Sequence, residues 1–120
     1  MKLVRIEHLK SGHGMWHTLC EKTGKPLVSF IDNEVMANLP MPDDQAVYGE
    51  HGRRWYSAAD TWEMMHYWFS DNDIKQLIGL GFGVYELEAE EYKYVGKEVV
   101  FTKESMTVCV NITDKFLNSH

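Results

Sequence analysis

The sequence predicts a single compact α+β domain over residues 1–120, with mostly antiparallel strands and two or three helices packed on them. Three observations favour this fold class. The chain has 120 residues, an ordinary length for one domain. Its hydrophobic fraction of 44% and aromatic fraction of 12% are typical of a packed protein. Strand patterns lie towards both ends of the chain, with helix patterns between them.

The first element is a strand. "KLVRIEHL" alternates, so that Val4, Ile6 and His8 share one face, as the period-two pattern of a strand requires. "KSGHG" breaks the pattern, and "MWHTLCEKTGKPLVSF" then indicates a second strand, a turn and another apolar segment. We therefore expect a hairpin in the N-terminal third.

The middle of the chain has a weaker pattern. Prolines in "NLPMPDD" and glycines in "YGEHGRR" oppose a long regular element between residues 31 and 54. A loop-rich connection is expected there, and "DNEVMANL" is compatible with a short helix.

Two helices and three strand-rich segments follow. Ser57, with Asp60 three residues later, is predicted to cap a helix that contains "WEMMHYWF". Ser70 and Asp73 repeat the same spacing for a second helix, which Gly79 and Gly81 should end. "GVYELEAE", "EYKYVGKEVVFT" and "MTVCVNIT" then predict the remaining strands.

The charge and the apolar pattern exclude several classes. A net charge of -6 disfavours a dedicated nucleic-acid binder, which needs a clustered basic surface. The opening is too short and too charged for a signal peptide, and no apolar run is long enough for a membrane span. We expect a cytoplasmic protein with reduced thiols at Cys20 and Cys109.

Four residues near the N-terminus are of the types that bind zinc: His8, His13, His17 and Cys20. Gly12 and Gly14 oppose the continuous helix that an HxxxH pair would need, and no CxxC or HExxH motif is present. We therefore expect no metal site and no resident cofactor.

One resemblance spans most of the chain. "RIEH", "GHGMW" and "WFSDNDIKQLIGLGFGVYELE" resemble small uncharacterised proteins of bacteriophages and prophages. The resemblance implies a phage accessory protein, for host takeover or anti-defence, in the host cell cytoplasm. Such a protein would bind a host or phage protein through its acidic surface and exposed aromatic side chains. Formation of a homo-oligomer is also compatible with the sequence.

A second resemblance is to the ADP-ribosyltransferase fold. It rests on Arg5 in the first strand and on "GKEVVFTKESMTVCV", which is similar to that family's late Glu-containing turn and strands. The resemblance implies a catalytic role for Glu98 beside the nicotinamide ribose of NAD. It also implies NAD contacts from Arg5, His8, Tyr56 and Ser57.

The chain departs from that family at one informative position. Gly96 stands where the family has the first Glu or Gln of its E-x-E turn, so binding of NAD is implied more directly than transfer to arginine. A carboxylate at Glu98 would stabilise the positive charge that develops on the ribose during glycosidic cleavage. The alternative is that Gly96 and Lys97 form a hairpin turn and Glu98 is a solvent-facing strand residue. Whether the protein is an enzyme stays open.

Overall fold

The helices and strands were assigned in a computed structural model that describes residues 1–12, 14, 20–34 and 55–119. In chain order they are β1 (Lys2–His8), a 3-10 turn (Leu27–Phe30), β2 (Tyr56–Ala58), α1 (Trp62–Trp68), α2 (Asp71–Gly79), β3 (Phe82–Ala89), β4 (Tyr92–Val95), β5 (Glu98–Phe101), a second 3-10 turn (Lys103–Ser105), β6 (Met106–Asn111) and α3 (Thr113–Ser119).

The described strands form two antiparallel sheets of three strands each. The first sheet has the order β1-β3-β6 and the second the order β2-β5-β4. The three described helices complete a single compact domain. The predicted α+β class is confirmed.

β1 joins the two sheets. It pairs with β3 along its whole length, from Lys2 opposite Glu88 to His8 opposite Phe82. On its other side, Val4 and Ala59 exchange two backbone hydrogen bonds of 2.8 Å, just beyond the end of β2. β1 therefore connects the first sheet to Ala59, the residue that follows β2 of the second sheet.

The alternation of β1 divides the apolar interior into two cores. Val4 and Ile6 face the helices, and Leu3 faces the second sheet. The helix-side core also contains Met65, Trp68, Phe69, Ile74, Leu77, Phe82, Val84, Ile112 and Phe116. The core between the sheets also contains Ala58, Leu87, Ala89, Val99 and Phe101. Both faces of the first sheet are thus covered, at least in part.

The first long helix begins later than predicted. Ser57 lies within β2, opposite Val100 of β5, so the prediction that it caps α1 is wrong. Thr61 is the cap instead, and its hydroxyl accepts a hydrogen bond of 3.0 Å from the N–H of Met64. The helix cannot start earlier because Ala59 is engaged with Val4.

The predicted cap of α2 is confirmed. The Ser70 hydroxyl accepts a hydrogen bond from the N–H of Asp73, and the Asp73 carboxylate accepts one from the N–H of Ser70, at 3.1 and 2.9 Å. Asp73 is fully buried and also accepts the N–H of Glu34 at 3.0 Å. One carboxylate therefore caps the helix and holds a distant segment against it. Beyond the helix, Gly81 has the positive φ of +98° that favours glycine.

The predicted N-terminal hairpin is not observed within the described residues. β1 pairs with β3, and Leu27–Phe30 forms a 3-10 turn rather than a strand. β1 has apolar side chains on both of its faces. Such a strand suits pairing with β3, the central strand of its sheet. Most of the predicted second strand, at 15–19, and most of the optional helix over "DNEVMANL" lie outside the described residues.

None of the helices in the described part of the chain is both long enough and apolar enough to cross a membrane.

The α2 cap generates a stability prediction. Ser70→Ala should lower the free energy of unfolding by about 1 kcal/mol, because the N–H of Asp73 loses its acceptor. Asp73→Ala should cost about 2 to 3 kcal/mol, since it removes the buried charged acceptor of two N–H groups. Urea unfolding followed by circular dichroism measures both. Ser119→Ala, at the exposed end of α3, serves as the control. Equal losses at positions 70 and 73 would contradict the double role of Asp73.

Candidate functional site

Arg5 lies between the two sheets with only 3% of its surface exposed. Its Nε donates to Glu7 Oε1 at 2.9 Å, and its Nη1 donates to the carbonyl oxygen of Ser57 at 2.5 Å. The guanidinium carbon lies 5.0 Å from the centre of the Tyr56 ring and 5.9 Å from that of Phe101. The side chain therefore ties β1 to β2 with charged hydrogen bonds and with cation–π contacts.

Lys103 reaches the same place from the second 3-10 turn. Its Nζ lies 3.5 Å from Glu7 Oε2, 4.5 Å from the Tyr56 ring centre and 3.2 Å from the carbonyl oxygen of Gly12. Glu7 thus bridges two cations, and the Tyr56 ring contacts both. We call Arg5, Glu7, Tyr56 and Lys103 the arginine cluster.

The arginine cluster affects two neighbours on the same face of the first sheet. The side chain of Cys109 is exposed, but partial desolvation and then the negative charge of Glu7 raise the pKa of its thiol, against opposing contributions from Lys103 and Arg5. The pKa of Tyr85 is raised for the same first two reasons. Both groups are therefore held in their neutral forms, which does not favour a nucleophilic role for Cys109.

The structure brings part of the predicted NAD set together. Tyr56 and Ser57 contact Arg5, as described above. His8 lies on the opposite face of β1, where its ring meets Phe82 edge-on at 5.3 Å and its Nδ1 accepts the N–H of Lys10 at 3.3 Å.

Glu98 is not brought together with Arg5. It is the first residue of β5, half-buried and opposite Val95. The alternation of the strand places it on the face opposite Val99 and Phe101, whereas Arg5 contacts Phe101. Gly96, with φ +62°, and Lys97 form the turn between β4 and β5. The geometry therefore separates the two residues on which the ADP-ribosyltransferase hypothesis depends.

The predicted histidine positions do not form a metal site in the described chain. His13 and His17 lie outside the described residues. Among the residues that are described, no group of three or more His, Cys, Asp or Glu side chains is arranged to hold a metal ion.

A groove of about 480 Å³ opens on the helix-side face of the first sheet. β3 has eight residues and α2, which packs on it, has nine, which correspond to about 26 Å of strand and about 14 Å of helix. The helices therefore cover only part of the sheet. The groove is lined by Lys2, Leu3, Val4, Asp60, Thr61, Trp62, Glu86, Leu87, Glu88, Val108, Val110, Ile112 and Lys115. We call it the acidic groove.

The register of the strands orders the floor of the acidic groove. Glu86 of β3 lies between Val4 and Val110, and Glu88 lies between Lys2 and Val108. Val108 is 44% exposed and Val110 is 50% exposed. The floor therefore presents two acids next to two uncovered valines.

Sequence reasoning did not find the acidic groove. One signal was present: Val84, Glu86 and Glu88 share a face of β3, and that face changes from apolar to acidic along the strand. This change indicates where the helices stop covering that face of the sheet. That Trp62 and Lys115 also line the groove could be found only from the tertiary structure, because the two residues come from different helices.

Comparison with known proteins gives one match. The family model described as the bacteriophage T4 Y00F protein matches residues 1–115. The chain belongs to this phage protein family. No curated protein and no solved structure matches it. The predicted resemblance to phage proteins is confirmed at this level, and the comparisons show no resemblance to ADP-ribosyltransferases.

The two cysteines generate a reactivity prediction. Hydrogen bonds from Thr23 lower the pKa of the Cys20 thiol, whereas partial desolvation and Glu7 raise that of Cys109. Because the thiolate is the reactive form, Cys20 should react several-fold faster with an aromatic disulfide reagent in dilute protein at mildly alkaline pH. The single-thiol variants Cys109→Ser and Cys20→Ser report the two rates.

A third variant tests the cause of the difference. Adding Glu7→Gln to Cys20→Ser should accelerate the reaction of Cys109, because one contribution that raises its pKa is removed. A rate that stays the same, or a Cys109 that reacts faster than Cys20, would contradict the electrostatic account.

Proposed function

We propose that the protein is a phage accessory protein, for host takeover or anti-defence, that binds a segment of a host or phage protein in the acidic groove. Membership of a bacteriophage T4 protein family supports the phage setting. The observation that carries the proposal is the pair of exposed valines beside the acids of β3. Free cysteines at positions 20 and 109 support action in the reducing host cytoplasm.

The apolar part of the groove suits an anchoring side chain of the partner. Val108 and Val110 offer exposed apolar surface, and Trp62 forms the adjacent wall. The Trp62 ring is stacked on Phe116 with centres 5.9 Å apart and planes 9° apart, so its orientation is already set. A pre-positioned aromatic side chain binds with a smaller loss of conformational entropy.

The charge of the groove favours a basic partner segment. Asp60, Glu86 and Glu88 line it together with Lys2 and Lys115, so acids outnumber bases, and the whole chain carries -6. Lysine or arginine next to an apolar anchor would match this arrangement. Complementary charge mainly raises the association rate and makes it dependent on salt.

A charge-reversal experiment tests this function. The variant Glu86→Lys/Glu88→Lys should lose a partner that the unmodified protein retains from lysate of phage-infected host cells, because the acidic floor becomes basic. The matched control Glu90→Lys/Glu104→Lys makes the same change at two exposed acids outside the groove and should retain it.

Direct binding of the recovered protein, once purified, is then measured by titration calorimetry at low and high salt. Binding that is tighter at low salt, and that only the groove variant weakens, supports the proposal. Equal binding by both charge variants would exclude the groove as the docking site.

An ADP-ribosyltransferase-like NAD-binding function is the alternative, supported by the contacts of Arg5 with Tyr56 and Ser57. We expect NAD to leave the melting temperature unchanged, because the Arg5 guanidinium already bonds to Glu7 and Ser57 and lies away from Glu98. A ligand at about a hundredfold over its dissociation constant would add roughly 2.7 kcal/mol to the free energy of unfolding. Stabilisation of that size, removed by Glu98→Gln, would reverse this expectation. Glu104→Gln, at an exposed acid, is the control.

A further inference from the structure

We infer that two copies of the protein pair through β6, antiparallel to each other, so that their β1-β3-β6 sheets join into one sheet of six strands. The inference concerns the edge of the first sheet, which shares Val108 and Val110 with the acidic groove.

Among the described strands, β6 lies at an exposed edge. It is the last strand in the order β1-β3-β6, and each of its residues from Thr107 to Asn111 is exposed. The N–H of Ile112 donates to Val84 at 2.8 Å, which fixes the alternation of the ladder. Val108 and Val110 therefore direct their backbone groups towards β3, and Cys109 and Asn111 direct theirs outwards, whereas Thr107 lies at the register shift of the ladder.

Residues Val108 to Asn111 of β6 lack the features that usually prevent strands from pairing between molecules; a register shift of the ladder to β3, between Val108 and Met106, lies towards the other end of the strand. The strand reads "MTVCVN", with no charge, proline or glycine. Natural proteins protect exposed edges with such residues or with very short strands. The other described edges follow that rule: β4 has four residues and carries Lys93, β2 has three, and β1 is bonded to Ala59.

The sequence of β6 is complementary to a second copy of itself. An antiparallel partner centred on Cys109 places Cys109 opposite Cys109, Val108 opposite Val110, and Thr107 opposite Asn111. Cys109 then meets Cys109 at outward-facing positions, so the hydrogen bonds at the axis form in register. Valine packs on valine, and no like charges oppose each other within the strand, although the chain as a whole is acidic.

This symmetry favours a second copy over an unrelated strand, because a two-fold axis at Cys109 satisfies both edges at once. Six strand residues are fewer than the about 20 to 30 residues a side of a standard interface. We therefore expect a reversible dimer whose population rises with protein concentration.

Sedimentation of the purified protein over a concentration series tests the pairing. The mass should rise from that of one chain to twice that value and stop there. Cys109→Lys should remain at the mass of one chain, because two like charges would oppose each other at the axis. Tyr92→Lys adds the same charge to the exposed strand β4 and should still dimerise. Circular dichroism verifies that each variant is folded.

Thiol oxidation provides a second readout. Directly opposed residues of a hydrogen-bonded pair have Cα atoms about 5.5 Å apart, within the range of a disulfide. Cys20→Ser, which keeps Cys109, should form a covalent dimer with a copper oxidant far faster than Cys109→Ser, which keeps Cys20.

Three results would overturn the inference: the mass of one chain at every concentration, assembly that continues beyond two chains, or equal covalent dimer from the two single-thiol variants. The groove variant Glu86→Lys/Glu88→Lys should still dimerise, since neither side chain lies at the edge. A failure of partner binding and a failure of pairing are thus distinguishable.

Discussion

The architecture depends on one strand being shared by two sheets. β1 is hydrogen-bonded to β3 on one side and, through Val4, to Ala59 on the other. Its alternate side chains serve different cores, Val4 and Ile6 under the helices and Leu3 between the sheets. Separating β1 from Ala59 would expose both cores at once, so the two sheets are one unit of stability rather than two.

Arg5 explains why the pairing of β1 has a single register. A shift of one residue would turn Arg5 into the helix-side core, where its charge would lack the Ser57 carbonyl and the Tyr56 ring. A buried ion pair adds little net stability compared with apolar packing, but its partners must be present. The arginine cluster therefore selects one arrangement of the two sheets. The same bonds leave Arg5 engaged within the protein, which weakens the case for a role in binding a dinucleotide.

Local signals in the sequence were reliable where no distant strand pairs with the same residues. The cap at Ser70 and Asp73 and the late strands could be predicted because each signal lies within a few residues. The cap at Ser57 failed because β5, forty residues onward, takes that segment into a sheet. The relation of Arg5 to Glu98 and the existence of the acidic groove depend on which strand faces meet. No single-sequence pattern specifies that.

The shared position of β1 also determines the order in which the protein can form. Chains are synthesised from the N-terminus, so β1 is made before any strand that it contacts. Its ladder partners run from Phe82 to Glu88, and its bridge partner is Ala59. Until they emerge, Leu3, Val4 and Ile6 have no described strand to bury them. The hairpin of β4 and β5, whose strands are adjacent in the chain, has the lower entropic barrier to formation. The strand that unites the two sheets is thus made before every described strand that it contacts.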